Sequence, residues 1–455
     1  MLASMIVVGA LLVSPVVAAT GSSPPTAPCP DRVPAGTRCF NGQDANGAFY
    51  SVAIPANWNG SLVLHAHGGP DLGPPGQART VDDLNRWAAM VREGYAWAGS
   101  SYPRGGYGTQ MAVRDTEALR RWFVSMFGQP RLTILHGQSW GGNVAAKAAE
   151  SFRYDGVLLT NGVLGGGSRG YNARVDLRVI YQYYCRNHPR PDEPQYPLWM
   201  GLRAGSTMTS GGLRARLQEC TGIESPAAER TPLQQRNLAD LLAVTRLPER
   251  TLASHLSFAT FTFRDIVHQR LGGRNPFSNQ GVWYRGSHDD VALNLGAKRF
   301  GADPTAKRDL SYDSDLTGEI SVPVLTMHAI DDPTAVVEHE SAYRSSVAVA
   351  GNARWLQQVF TNEHEHSALS DAEYATALDA LVTWVRNGRK PSAQSIAKRC
   401  PSADATYGTG CFFNPSYTPA RYESRTFARP GERRWPAMTA RQAQAWSKIP
   451  GVGIP

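Results

Sequence analysis

The run Gly137-Gln138-Ser139-Trp140-Gly141 stands between a short apolar segment, Leu132 to Leu135, and a stretch from Asn143 to Phe152 with helical apolar spacing. That position constrains the chain more than any other feature. A serine on a tight strand-to-helix turn needs strained backbone angles and close neighbouring backbone. Glycines two before and two after it remove the Cβ atoms that would clash there. The start of the following helix offers unpaired N–H groups and positive partial charge, a setting suited to a developing oxyanion.

The flanking sequence alternates short apolar runs with amphipathic stretches, which predicts an α/β fold: a mostly parallel sheet flanked by helices. Strands are expected at Ser61 to His67, Tyr95 to Gly99, Leu132 to Leu135 and Gly156 to Leu159. Leu119, Trp122, Phe123 and Met126 space out a helix over Arg114 to Phe127. From Gly165 the β-α rhythm stops, and an Arg-rich, aromatic, mostly helical segment runs to about Asp315. A buried strand returns at Val322 to Met327, another is expected at Arg354 to Phe360, and an amphipathic helix at Asp371 to Asn387 ends at Gly388. The expected division is a signal segment over 1–19, an N-terminal extension over 20–50, a sheet domain over 51–164 and 318–390, a large helical cap over 165–317, and a tail over 391–455. The tail's aromatic, proline-rich run from Phe412 to Pro436 reads as a strap over the surface.

Of the 455 residues 42% are apolar and 18% charged, which excludes a disordered or coiled-coil chain. The net charge of +8 is spread as mixed runs such as Arg114-Asp115-Thr116-Glu117, an ordinary solvated surface, so no nucleic-acid partner is expected. The apolar run Met5 to Ala19 is short for a membrane span and ends in small residues, as a cleaved secretory signal does, although no Lys or Arg precedes it. A secreted or periplasmic chain without a stable membrane span is expected. The six cysteines then favour disulfides. Neighbour pairing of Cys29 with Cys39, Cys185 with Cys220 and Cys400 with Cys411 would close three local loops, among 15 possible connectivities.

A serine hydroxyl needs a base to take its proton, and in this topology the expected chain order is serine, acid, histidine. Asp331 and Asp332 follow the strand Val322 to Met327. His364 and His366 follow the strand Arg354 to Phe360. His65 and His67 share one face of their strand, yet no third ligand is in sight, so neither a metal nor a cofactor is expected. Asn59-Gly60-Ser61 is formally a glycosylation sequon.

Over roughly 50–165 and 318–390 the chain resembles the α/β-hydrolase superfamily. In Ala329-Ile330-Asp331-Asp332-Pro333 it is similar to the family's Gly-x-x-Asp-Pro, with alanine for glycine, which points to Asp332 as the acid. In Glu365-His366-Ser367 it is similar to Gly-His followed by a small residue, with glutamate for glycine, which points to His366. Those departures keep Asp331 and His364 open as alternatives. His67-Gly68-Gly69-Pro70 resembles the family's oxyanion loop and implies Gly69 and Trp140 as the N–H donors. The resemblance implies a serine hydrolase acting on a small-molecule or oligomeric carboxylic ester through Ser139, His366 and Asp332. Tyr102-Pro103-Arg104-Gly105-Gly106-Tyr107, with the same loop and elbow, is similar to the proline-iminopeptidase branch. A serine exopeptidase whose cap acids, such as Glu219, Glu224 and Glu229, hold an amine is therefore the alternative. A non-catalytic binding protein on the same fold is a third reading. The cap aromatics Tyr181, Tyr183, Tyr184, Trp199, Phe258, Phe261, Phe263, Trp283 and Tyr284 either line a pocket or form the cap's own core.

Overall fold

A computed structural model describes residues 24–429 apart from 409 and 428; the signal segment expected over 1–19 and the last part of the tail lie outside the described residues. One nine-stranded sheet organises the chain. Its strands are β1 (Thr26–Ala27), β2 (Arg38–Gln43), β3 (Phe49–Ile54), β4 (Leu62–Ala66), β5 (Ala96–Ser100), β6 (Thr133–Gln138), β7 (Gly156–Thr160), β8 (Val324–Ala329) and β9 (Leu356–Thr361). They lie in the order β1-β2-β3-β5-β4-β6-β7-β8-β9. β1, β2, β3 and β5 pair antiparallel, and from β5 through β4 to β9 every pair is parallel.

The parallel strands are buried along their whole length from β4 to β8. Helices cover both faces, so these strands carry consecutive apolar residues and not an alternating pattern. Two apolar clusters form, one on each face of the sheet, and the helix Asp371–Asn387 closes the second with Leu378, Leu381 and Trp384. A capping box of Ser370 and Glu373 starts that helix, and Gly388 in the left-handed conformation ends it.

The sheet begins earlier than the sequence suggests. β1 and β2 fall inside the stretch expected as an extension over 20–50, and β3 starts at its end. The β2–β3 hairpin turns at Asp44 to Gly47, where Asp44 Oδ1 accepts the N–H groups of Asn46 and Ala48. The helix after Ser139 likewise starts at Trp140, three residues before the expected Asn143.

Between β7 and β8 the described residues hold helices and no strand. Tyr181 and Tyr284 are buried in a separate cap core with Leu213, Leu241 and Leu252, while Trp283 is half exposed. The disulfides are Cys29–Cys39, Cys185–Cys220 and Cys400–Cys411, as expected of a chain that folds in an oxidising compartment. Among the described residues no helix is long and apolar enough to cross a membrane. Cys185 ends the helix Gly167–Cys185 and Cys220 lies in Ser210–Thr221, 35 residues on. Replacing both by serine removes a loop constraint worth up to about 4 kcal/mol. A fall in Tm by several degrees is the expected result; an unchanged Tm without reductant would mean that the bond stabilises nothing.

Candidate active site

β6 ends in the turn that carries Ser139. The serine has φ 62° and ψ −127°, a conformation that costs a non-glycine residue on the order of 1–3 kcal/mol. The surrounding backbone enforces it. Ser139 donates its N–H to the Thr160 carbonyl at 3.1 Å and accepts the N–H of Val163 at 3.1 Å. A Cβ on Gly137 would fall on the Gly141 carbonyl, and one on Gly141 would fall on the carbonyl of Ala66. Both glycines are needed because the helix Trp140–Ala149 starts hard against β6 and β4.

His366 lies on the loop after β9, with Nε2 2.7 Å from Ser139 Oγ and Nδ1 2.7 Å from Asp332 Oδ2. Asp332 is in turn fixed by two N–H groups, from Thr334 at 2.8 Å and Ala335 at 2.9 Å, both donated to Oδ1. A hydroxyl bonded to an imidazole whose other nitrogen faces a buried carboxylate suits proton abstraction at the hydroxyl. The two remaining candidates pair with each other: His364 Nδ1 meets Asp331 Oδ2 at 2.7 Å, with both side chains more than half exposed.

Several residues that the sequence reading did not single out hold this arrangement. The His366 carbonyl accepts from Asn161 Nδ2 at 2.6 Å and from Gln138 Nε2 at 3.1 Å. Asn161 Oδ1 accepts the Ala329 N–H at 2.8 Å, so one amide joins the ends of β7 and β8 to the histidine loop. Its φ of 44° is a conformation that asparagine tolerates better than most residues. Behind Asp332, His328 donates from Nε2 to the Ala335 carbonyl at 2.7 Å and from Nδ1 to Glu340 at 3.1 Å. Burial works against a charged His328, but Glu340, Asp332 and the Ala335 carbonyl together raise its pKa above the ordinary value. Its Nε2 is 3.7 Å from Asp332 Oδ2, a positive neighbour for that carboxylate. From the cap, Arg250 donates to the His364 carbonyl at 2.9 Å and pairs with Glu365 at 3.3 Å.

On the opposite side of Ser139, the loop after β4 runs close by: a Cβ on Gly68 would lie 3.5 Å from Ser139 Cβ. Tyr102 donates its hydroxyl to the His67 carbonyl at 2.9 Å, and Arg79 Nε donates to His67 Nδ1 at 2.8 Å. Burial, then the charge of Arg79, hold the His67 pKa well below its usual value, in keeping with an Nδ1 that accepts. Among the described residues the N–H groups of Gly69 and Trp140 have no acceptor. His65 does not join His67 on a ligand; its Nδ1 meets His136 Nδ1 at 2.9 Å. Among the described residues no group of three His, Cys, Asp or Glu side chains could hold a metal ion.

No protein-family model matches the chain. It is similar to a protein described as o-phthalyl amidase from Xanthobacter agilis, 21% identical over 403 residues, which is 77% of this chain and 87% of that one. Similar solved structures include feruloyl esterase B from Aspergillus oryzae, at a TM-score of 0.36 and 14% identity over 78% of this chain and 81% of that one. Others are an esterase from Pyrococcus furiosus, at 0.35 and 13% over 80% and 91%, and an acylaminoacyl peptidase from Pyrococcus horikoshii, at 0.34 and 10% over 78% and 42%. The parallel core from β5 to β9, the strained serine turn between β6 and its helix, and the cap entering after β7 give this chain the α/β-hydrolase fold.

Proposed function

We propose that the protein is a secreted or periplasmic serine hydrolase that cleaves carboxylic esters. The observation that carries the reading is the unbroken chain of 2.7 Å contacts from Ser139 Oγ through His366 to Asp332. In the proposed reaction Ser139 Oγ attacks the acyl carbon while His366 Nε2 takes its proton. The N–H groups of Gly69 and Trp140 receive the negative charge that moves to the acyl oxygen. His366 then protonates the departing alcohol, and an acyl-enzyme forms. Water, deprotonated by the same imidazole, releases the acid and restores the serine. Asp332 keeps the proton of His366 on Nδ1 and balances the charge of the imidazolium.

Amide hydrolysis is the second reading, favoured by the similarity to a protein named o-phthalyl amidase along 77% of the chain. The exopeptidase form of it loses support. Glu219 and Glu224 are paired with Arg190 and Arg214, and Glu229 is exposed, so two of the three carboxylates are already held by guanidinium groups.

Short 4-nitrophenyl esters are expected to be cleaved at least about 100-fold faster, in kcat/KM, than alanine or proline 4-nitroanilides. The reverse ranking would replace the ester reading with the amide one.

A further inference from the structure

A cleft lies between the cap helix Gly167–Cys185, the segment after Asp332 and the tail. It adjoins the proposed catalytic groups on two sides. His255, on its wall, donates Nε2–H to the carbonyl of Pro333, the residue after the acid, at 3.0 Å. Gly170, also on its wall, would touch Val163 at 3.9 Å if it carried a Cβ, and Val163 N–H is bonded to the Ser139 carbonyl.

The lining holds three arginines, Arg174, Arg246 and Arg425, and no carboxylate. Arg425 is paired with Glu338 at 2.9 Å. Arg174 is different. Its Nη1 donates to the Gly170 carbonyl at 3.0 Å and its guanidinium lies 4.3 Å from the Phe258 ring centre. Its Nε is buried without an acceptor, and no carboxylate lies within 4 Å among the described residues. The Nε and Nη2 edge, one of the two that grip a carboxylate with parallel hydrogen bonds, therefore has no carboxylate partner among the described residues. A second donor lines the same cleft. His339 is 3% exposed, and its Nδ1 accepts the Gly165 N–H at 2.9 Å. Burial and neighbouring positive charges hold its pKa well below the usual value, so the neutral ring carries its proton on Nε2, which has no acceptor among the described residues. A Cβ at Gly170 would lie 3.6 Å from Arg174 Nη1 and 3.8 Å from His339 Cε1, so the two side chains converge on one bare stretch of backbone.

We propose that this cleft is a carboxylate subsite, in which the Nε and Nη2 edge of Arg174 and the Nε2–H of His339 hold an anionic end of the substrate. The substrates are then esters that carry a free carboxylate at small-molecule distance from the scissile bond. This rests on the esterase reading for its place in catalysis, but not for binding.

The test uses two anionic esters and their neutral counterparts: monoethyl succinate against ethyl butyrate, with the charge on the acyl side, and 3-acetoxybenzoate against phenyl acetate, with the charge on the leaving side. Binding to Ser139→Ala is measured by calorimetry and turnover of the parent protein by acid release. The pair that shows the preference tells which side of the bond the subsite serves. At least one anionic ester should bind roughly 10-fold or more tightly than its neutral partner. Arg174→Gln in the same background should weaken that ester roughly 30-fold. Arg174→Lys, which keeps the charge without the fork, should regain only part of the loss. Equal binding of charged and neutral esters, or equal weakening of both by Arg174→Gln, would overturn the subsite. Carboxylate binding that depends on Arg174, without turnover of any ester, would instead overturn the esterase reading and leave the subsite standing.

Discussion

Ser139→Ala is expected to lower kcat/KM on 4-nitrophenyl esters by about 10⁴- to 10⁶-fold and to abolish labelling by a fluorophosphonate probe. The size follows from what the substitution removes. Alanine keeps the Cβ, so it meets the same φ of 62° and the same cost of that conformation, and the turn has no reason to relax. Lost are the Oγ and its 2.7 Å contact with His366 Nε2. The proposed donors at Gly69 and Trp140 and the whole cap stay, so what survives is the modest catalysis that an oxyanion site and substrate binding supply without a nucleophile. Thermal unfolding should show a Tm close to that of the parent, since one partly exposed hydroxyl contributes little to folding. A variant that keeps more than about 1% of the parental rate, or that still takes up the probe, would remove Ser139 from the role of nucleophile.

The parts of this fold that were legible in the sequence are those where one residue type is forced by geometry or where burial is two-sided. Gly137 and Gly141 had to be glycine because their Cβ atoms would meet carbonyls. β4, β6, β7 and β8 carry the apolar runs Leu62 to Leu64, Ile134 to Leu135, Val157 to Leu159 and Val324 to Leu325, because helices cover both faces. The strand β2 escaped notice because Arg38-Cys39-Phe40-Asn41-Gly42-Gln43 buries only Cys39 and Phe40 and therefore carries no period. The Asn46-Gly47 pair between β2 and β3 was the available signal, since such pairs favour tight hairpins. At the site, the serine and its histidine and acid could be placed by strand ends, because a strand-to-loop junction is a local feature. Asn161, Glu340 and Arg174 could not. Asn161 acts through contacts 168 and 205 residues away in sequence, and nothing local marks an asparagine as a bridge. Arg174 is one of many arginines in the cap, and only the tertiary arrangement reveals that its buried Nε has no acceptor among the described residues.

Asp332→Asn is expected to lower kcat by about 10⁴-fold, whereas Asp331→Asn should change it less than about threefold. The two residues are adjacent in sequence and each carboxylate stands 2.7 Å from an imidazole Nδ1, so distance does not separate them. Burial and connectivity do. The Asp331–His364 pair is 59% and 73% exposed, where solvent competes for both partners. The Asp332 side chain is fully buried, and only its partner His366 reaches Ser139 with the other nitrogen. The asparagine variant is disabling because of how Asp332 is held. Oδ1 already accepts the N–H groups of Thr334 and Ala335, so an asparagine must put its carbonyl there and turn its NH2 toward His366. An NH2 facing Nδ1 demands a lone pair on that nitrogen, which moves the imidazole proton to Nε2. An Nε2–H beside Ser139 donates where it should accept, and the serine keeps its proton. The tautomer can be read directly by the ¹⁵N shifts of His366 in the two variants: Nδ1-protonated in Asp331→Asn and Nε2-protonated in Asp332→Asn. Equal losses of rate, or a larger loss in Asp331→Asn, would assign the acid to the exposed pair and require the histidine loop to rearrange before reaction.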